Sequence, residues 1–259
     1  MRKTRLAAVA VLPALLLAAG CSSGSSDSDA KSTPTTSSSG SSGSSASSST
    51  GDATASGDAP LTKTQLTSAL VTDADVPGYT VQVSQTTSDD ATDTSTLATD
   101  KPDCQPLADI TSSKPKIPRV AFVGAAFAKV SATASPSATP DEINEMLVAS
   151  HKPGDAQKVV ESVKTALKTC TTFTTTDSSG TKTPFSVAKG PAVPTGDSAV
   201  SYVMTDTSDA TTGAALVTVV QTGDTITAYI SVKSAGGVGD LPIDVARKQN
   251  EKLKAALAK

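Results

Sequence analysis

The chain has 259 residues, a formal net charge of −3 and an aromatic content of only 3%, with no tryptophan. It carries no cluster of lysine and arginine that could displace the counterions of nucleic-acid phosphates, which excludes nucleic-acid binding as its main function. With so few aromatic residues, any folded core must depend on valine, alanine, leucine and isoleucine.

The first 21 residues are typical of a secretory signal that ends in a bacterial lipobox. Basic residues at positions 2, 3 and 5 precede an apolar run over 6–17, and small residues then lead to Cys21. A membrane-spanning helix needs about 20 apolar residues, whereas this run is shorter and contains Pro13. The sequence predicts a signal peptide over 1–20 and a fatty-acylated, palmitate-type Cys21. The protein would then be anchored by lipid at the extracellular face of the cell membrane.

Residues 21–60 are predicted to form the acylated cysteine and a disordered tether. Serine makes up nearly half of residues 22–60, so the segment has little apolar surface to offset the entropy lost on ordering. A Ser/Gly-rich coil of this length reaches about 35 Å. Glycosylation near Thr33–Thr36 is one interpretation, and a plain linker is the other. One folded domain is predicted over 61–259.

The first half of this domain alternates helices and strands. A helix begins at Thr62, whose spacing from Gln65 is that of a capping box, and ends before Asp75–Gly78. A strand over 79–83, a short helix over 104–110 and a strand over 119–130 follow. Gly124 inside the last strand indicates a bulge or a close approach of another segment.

The second half contains the strongest helical pattern and most of the predicted strands. Residues 139–150 fit either a helix or a strand, and we favour a strand over 143–149. Apolar residues at helical spacing predict a helix over 156–170. Strands are predicted over 183–187 and 199–204, then a hairpin of 216–221 with 225–232 across Gly223–Asp224. A last helix starts near Asp240. The order predicts an α+β domain, with one twisted, mainly antiparallel sheet and helices packed on one face.

The cysteines fit an exported protein. Acylation uses Cys21, which leaves Cys104 and Cys170 as an even pair in an oxidising compartment. Cys170 lies on the apolar stripe of the predicted helix over 156–170. The pair predicts an internal disulfide, and two buried free thiols are the alternative.

Candidate catalytic and metal-binding residues are few. His151 is the single histidine, so a Ser-His-Asp triad would have to use it, but its Lys-Pro-Gly surroundings predict a solvated turn. With one histidine and no free thiol, a tetrahedral zinc site would need carboxylates for nearly every ligand. The sequence predicts no catalytic residues, no metal and no cofactor.

Three other motifs invite a functional interpretation. Ser186 and Lys189 have the spacing of penicillin-interacting enzymes, but they lie in a predicted strand rather than at a helix start. Asp73 and Asp75 lack the rest of a calcium-binding loop, so they are predicted to cap and turn the chain. The pair Gly196–Asp197 is interpreted as a turn before a strand, or as a carboxylate at the rim of a cleft.

Several short motifs resemble a known family. They are Leu66–Val71 followed by Asp75–Tyr79, Cys104 with Leu107, Ala166–Cys170 followed by Phe173, and Gly196–Val200. Together they resemble actinobacterial secreted lipoproteins that are similar to the extracellular sensor domain of PknH-type Ser/Thr kinases. The resemblance implies a disulfide-stabilised α+β fold with a ligand-binding cleft on the sheet and no enzymatic activity. Unlike those kinases, this sequence contains no kinase domain or transmembrane helix, and it has one internal cysteine pair where they have two.

The leading hypothesis is a non-enzymatic, surface-anchored lipoprotein that binds or senses an unidentified extracellular ligand or cell-envelope partner. The alternating strands over 119–130 and 198–232 would supply the wall of its cleft. A lipid or glycolipid carrier is one alternative and would need an unusually large apolar cavity. A cell-wall hydrolase is the other, and it would need His151 within hydrogen-bond reach of a serine and a carboxylate.

Overall fold

The computed structural model describes residues 59–84, 96–130, 139–209 and 213–259. The predicted signal peptide, Cys21 and nearly all of the tether lie outside these residues. The helices are α1 (Lys63–Ser68), α2 (Gln105–Asp109), α3 (Asp155–Ala166) and α4 (Ile243–Leu257), with a 3₁₀ turn at Pro102–Cys104. The strands are β1 (Tyr79–Val83), β2 (Ala98–Thr99), β3 (Ala121–Lys129), β4 (Glu142–Ser150), β5 (Thr172–Thr176), β6 (Lys182–Lys189), β7 (Ser198–Asp206), β8 (Ala214–Thr222) and β9 (Thr225–Lys233).

The nine strands form one sheet in the order β1-β3-β4-β9-β8-β7-β6-β5-β2, with antiparallel pairing throughout. Strands β5 to β9 follow one another in sequence order, and β4 joins them by pairing with β9 along its whole length. The predicted class, an α+β domain with a single antiparallel sheet, is confirmed. Residues 142–150 form a strand, so the strand interpretation of this segment is also confirmed.

The helices cover both faces of the sheet, which corrects the prediction that they share one face. Val219 packs in a core with α2 and α3, whereas its neighbour Val220 packs in a second core with α1 and α4. Because successive strand side chains point to opposite faces, a strand that is apolar at both positions needs cover on both sides. We refer to these two sides as the α3 face and the α4 face.

On the α4 face, a buried glutamine ties the last helix to the first. Gln249 is fully buried on α4, where its amide donates to the carbonyl of Ala69 at 2.9 Å and accepts from the N–H of Val71 at 3.0 Å. The Ala69 carbonyl is one of those that a helix leaves unpaired at its end, and Val71 lies just beyond it. At the other end of α1, Thr62 and Gln65 form the predicted capping box. No helix in the described part of the chain is both long enough and apolar enough to cross a membrane.

The predicted disulfide is confirmed. Cys104 and Cys170 are bonded with a Cα–Cα distance of 5.6 Å, within the usual range for disulfides. Both cysteines are buried in the core of the α3 face. The bond fastens the start of α2 to the segment that follows α3.

The aspartates at 73, 75 and 197 organise the backbone. Asp73 accepts from the N–H of Val81, and Asp75 accepts from the N–H of Thr72. Lys252 also donates to Asp75 at 2.6 Å, and with the bonds from Thr72 this lowers the pKa of that carboxyl to about 2. The predicted role of Asp73 and Asp75, capping and turning the chain, is confirmed.

Asp197 has the structural role that the sequence suggested for it. It follows Gly196, which has a φ of 82°, and accepts at 2.7 Å from the N–H of Gly223 in the β8–β9 turn. Lys254 on α4 lies 3.4 Å from its other carboxylate oxygen. Of the two interpretations of Gly196–Asp197, the turn is the one the structure supports.

Candidate ligand-binding cleft

A shallow cleft lies on the part of the α3 face that none of the described helices covers. Along β3, the side chains that face α1 are buried, whereas those on the opposite face are only partly buried. The cleft has a volume of about 360 Å³ and opens over β3, β4 and β9. We call it the sheet cleft; its floor and rim are lined by Phe122, Gly124, Ala126, Glu145, Leu147 and Ile230, with Ser84 and Ile110–Thr111 at the sides.

Gly124 lets a neighbouring segment approach the floor of the cleft closely. A Cβ at this position would lie 3.3 Å from the side chain of Ser84, and the N–H of Ser84 donates to the carbonyl of Gly124 at 2.9 Å. The register of β3 with β4 continues through Gly124 opposite Leu147 without an extra residue. Of the two expectations for this glycine, close approach is correct and a bulge is wrong.

Arg119 fastens one wall of the cleft to its floor. Its guanidinium donates to the carbonyl oxygens of Asp109, Ile110 and Ser112 at 3.2, 3.0 and 2.9 Å, and so holds the end of α2. The same group lies 5.8 Å from the ring centroid of Phe122, at cation–π distance. Burial lowers the pKa of Arg119, but a guanidinium remains charged at neutral pH. Arg119 is therefore a positioning residue for the wall.

Beyond Ile110, Leu147 and Ala228, the cleft continues into a narrow apolar crevice. The crevice lies between α3 and the sheet and is bordered by His151, Val159 and Ser162. The crevice has a volume of about 30 Å³, enough for about two water molecules. A crevice of this size does not hold an acyl chain.

His151 borders this crevice and is buried, so the prediction of a solvated turn is wrong. The side chain is only 3% exposed, and Nδ1 lies 3.1 Å from the carbonyl oxygen of Pro118. Because that carbonyl can only accept, Nδ1 carries the proton and Nε2 is the acceptor. Burial lowers the pKa of His151 despite this hydrogen bond, and the ring is neutral at pH 7. The reason for the error is that the last three residues of β4, up to Ser150, are all buried.

The structure does not assemble a triad around His151. The hydroxyl of Ser162, in the same crevice, donates to the carbonyl of Val159 at 2.8 Å. Asp109 accepts from Gln105 and from the N–H of Lys116. Within the described ranges, no hydrogen bond joins the His151 ring to a hydroxyl or a carboxylate; its one partner is the Pro118 carbonyl.

Two further chemical possibilities also lack support. Ser186 and Lys189 lie on β6, a strand, and not at the helix start that penicillin-interacting enzymes use. Among the residues that the structure describes, no three His, Cys, Asp or Glu side chains are close enough to hold a metal ion.

Glu145 is the one charged side chain that the described residues bring to the sheet cleft, and the sequence analysis did not single it out. It lies on β4 opposite Ala126, with its carboxylate exposed. From the sequence alone, a glutamate between Asn144 and Met146 indicates only that one face of the strand is exposed to solvent. The surrounding apolar floor becomes visible only when β3, β4 and β9 are assembled.

Comparisons with known proteins agree with the family resemblance. The family model of the PknH-like extracellular domain matches residues 61–252. Among solved structures, the chain is similar to the extracellular domain of PknH from Mycobacterium tuberculosis, with 12% identity, 78% of this chain and 98% of that chain covered, and a TM-score of 0.46. It is also similar to a putative uncharacterized protein from Mycobacterium smegmatis, with 13% identity, coverage of 75% and 93%, and a TM-score of 0.27. No curated protein matches the chain.

Proposed function

Because the chain belongs to the family of PknH-like extracellular domains, we propose that it is a non-enzymatic binding or sensing domain that holds an extracellular ligand in the sheet cleft. Its place in the family makes it an extracellular, sensor-type domain. The ligand is a molecule or envelope component small enough for a volume of about 360 Å³.

The observation that carries the proposal is the composition of the sheet cleft. A binding site needs a concave, largely apolar surface with a few polar groups that fix orientation. Phe122, Leu147 and Ile230 supply apolar surface, and the Glu145 carboxylate has no partner among the described residues. This combination favours a ligand with an apolar body and a hydrogen-bond donor or a positive charge. The wall is held in place by Arg119 before any ligand arrives.

The test is native mass spectrometry of the protein purified from its own host. We expect a small molecule to co-purify with the wild-type chain and to be lost from Ala126→Trp, because the new indole would occupy the floor of the cleft. Ala188→Trp is the matched control, since Ala188 is an exposed residue on β6 that does not line the cleft. A bound mass that persists in Ala126→Trp, or one that both variants lose, would refute the sheet cleft as the site.

We also propose that residues 21–60 tether the domain, over 61–259, to the outer surface of the membrane through a lipid on Cys21. The support for this anchor is the signal-like pattern of residues 1–20 and the position of Cys21 directly after it. The predicted result is that the wild-type protein partitions into the detergent phase and Cys21→Ser into the aqueous phase. Equal partitioning of the two proteins would contradict lipidation.

A further inference from the structure

A second pocket lies where β7 extends past the end of the neighbouring strand β6. The pairing of β6 with β7 runs from Phe185 opposite Asp206 to Lys189 opposite Tyr202. The chain then leaves the sheet, and residues 198–200 of β7 pair only with β8. The gap has a volume of about 620 Å³. We call it the lysine pocket; it is lined by the end of α3 and the residues after it (Lys164, Leu167, Lys168), by Lys189 to Val193, and by Ala199 to Ser201.

The charge in this pocket is of one sign. Three lysines line it and no acidic residue does, although the whole chain has a net charge of −3. Lys164 donates to Ser198 and pairs with Glu161 at 2.9 Å. Lys168 and Lys189 have no acidic partner among the described residues, and both are exposed. Two unneutralised ammonium groups from different elements therefore face one concave surface.

The open edge of β7 adds a backbone donor to the pocket. The N–H of Gly190 donates to the carbonyl of Ser201 at 3.0 Å, so the backbone groups of Ser201 point away from β8. Backbone groups alternate in direction along a strand, and those of Ala199 therefore point to the same side. Among the described residues, no strand lies there to receive them. The N–H of Ala199, which lines the same pocket as the lysines, therefore has no strand partner on this side.

The shape of the pocket is fixed by close packing of its loop. A Cβ on Gly190 would collide with Ser201, including its carbonyl carbon at 2.8 Å. The hydroxyl of Ser201 donates to the carbonyl of Pro191. The segment that closes the pocket is thus held against β7 rather than standing free.

We propose that the lysine pocket binds a phosphate group, presented either by a soluble phosphorylated molecule or by a lipid headgroup. Ammonium groups act on phosphate as point charges with several rotatable donors, which suits a site built from long side chains. The Ala199 N–H supplies a fixed donor at the open edge of β7 in the same pocket. The lysine pocket is separate from the sheet cleft, so phosphate binding can be tested independently of the ligand proposed for that cleft.

The test uses the whole mature chain, kept soluble by Cys21→Ser, with inorganic pyrophosphate as the probe at low ionic strength. We expect saturable binding by isothermal titration calorimetry, with a shift of the Ala199 amide signal in NMR spectra. Lys168→Gln with Lys189→Gln should weaken binding at least fivefold. The control is Lys152→Gln with Lys233→Gln, which removes the same charge from exposed positions outside the pocket and should change affinity less than twofold. Ala126→Trp should leave pyrophosphate binding unchanged.

Vesicles distinguish the two sources of phosphate. Binding to phosphatidylglycerol vesicles that accompanies pyrophosphate binding, is absent with phosphatidylcholine and is lost in the Lys168/Lys189 variant supports a lipid headgroup. Pyrophosphate binding without vesicle binding supports a soluble ligand. No saturable pyrophosphate binding, equal weakening by the control pair, or vesicle binding alone would overturn the proposal, because each would indicate at most a diffuse surface attraction.

Discussion

Replacing Cys104 and Cys170 together with alanine is expected to lower the free energy of unfolding by about 4 kcal/mol. The bond closes a long loop, with 66 residues of sequence separation, and the unfolded chain regains that freedom when the bond is removed. Both positions are buried, so the variant also loses packing between α2 and α3. The hydrogen bond from Tyr202 to the carbonyl of Leu107 remains to hold α2, which keeps the loss local to one wall of the sheet cleft.

Urea unfolding of the oxidised wild type and the double variant measures this effect. Cys21→Ser, which leaves the disulfide intact, is the control and should unfold at the wild-type midpoint. Chemical reduction of the wild type should reproduce most of the loss. A difference below about 1 kcal/mol between the oxidised wild type and the double variant would show that the disulfide contributes little to stability.

Gly196→Ala is expected to cost about 2–4 kcal/mol. Two effects add at this position. The backbone has a φ of 82°, which side-chain-bearing residues adopt only with strain. The new Cβ would also lie 2.7 Å from the carbonyl oxygen of Gln221 and against the side chain of Val220. The strand start that carries Asp197 would have to move away from β8.

Gly180→Ala separates the two effects. Gly180 has nearly the same φ, 85°, but a Cβ there meets nothing within 4 Å. It should cost only about 1 kcal/mol, the strain of the backbone alone. Thermal or urea unfolding of the two variants gives the cost of the close contact as their difference. If both variants lose the same stability, the contact at Gly196 is relieved by a small shift and the interpretation is incorrect.

Local sequence patterns predicted the elements well because those patterns are set within a few residues. The β8–β9 hairpin followed from alternating apolar residues on either side of Gly223–Asp224, and the capping box of α1 from the spacing of two residues. His151 shows the limit of this reasoning. Its polar neighbours after position 151 suggested solvent, but burial of the strand before it and the carbonyl of Pro118, 33 positions away in the chain, decide its environment.

The sheet cleft and the lysine pocket could not be predicted from local patterns. Each forms where neighbouring helices or strands leave a surface uncovered. The sheet cleft exists where the α3 face is left open over β3, β4 and β9, and no single strand encodes that. The prediction that all helices share one face of the sheet also gave no reason to expect a partly covered α3 face. Lys164 and Lys168 lie near the end of the predicted helix over 156–170, where lysines commonly complement the helix dipole. Only the end of β6 at Lys189 brings a third ammonium beside them.

The pairing of β4 with β9 has a consequence for folding kinetics. Every residue pair across this boundary is separated by at least 75 positions in the chain, as for Ser150 opposite Thr225. Such non-local contacts form late, since loop closure costs entropy before any pairing is gained. Leu147 of β4 and Ala228 of β9 both line the sheet cleft. An occupant of the cleft therefore bridges two strands that are distant in sequence and slows their separation, so we expect occupancy to slow amide hydrogen exchange along β4 and β9.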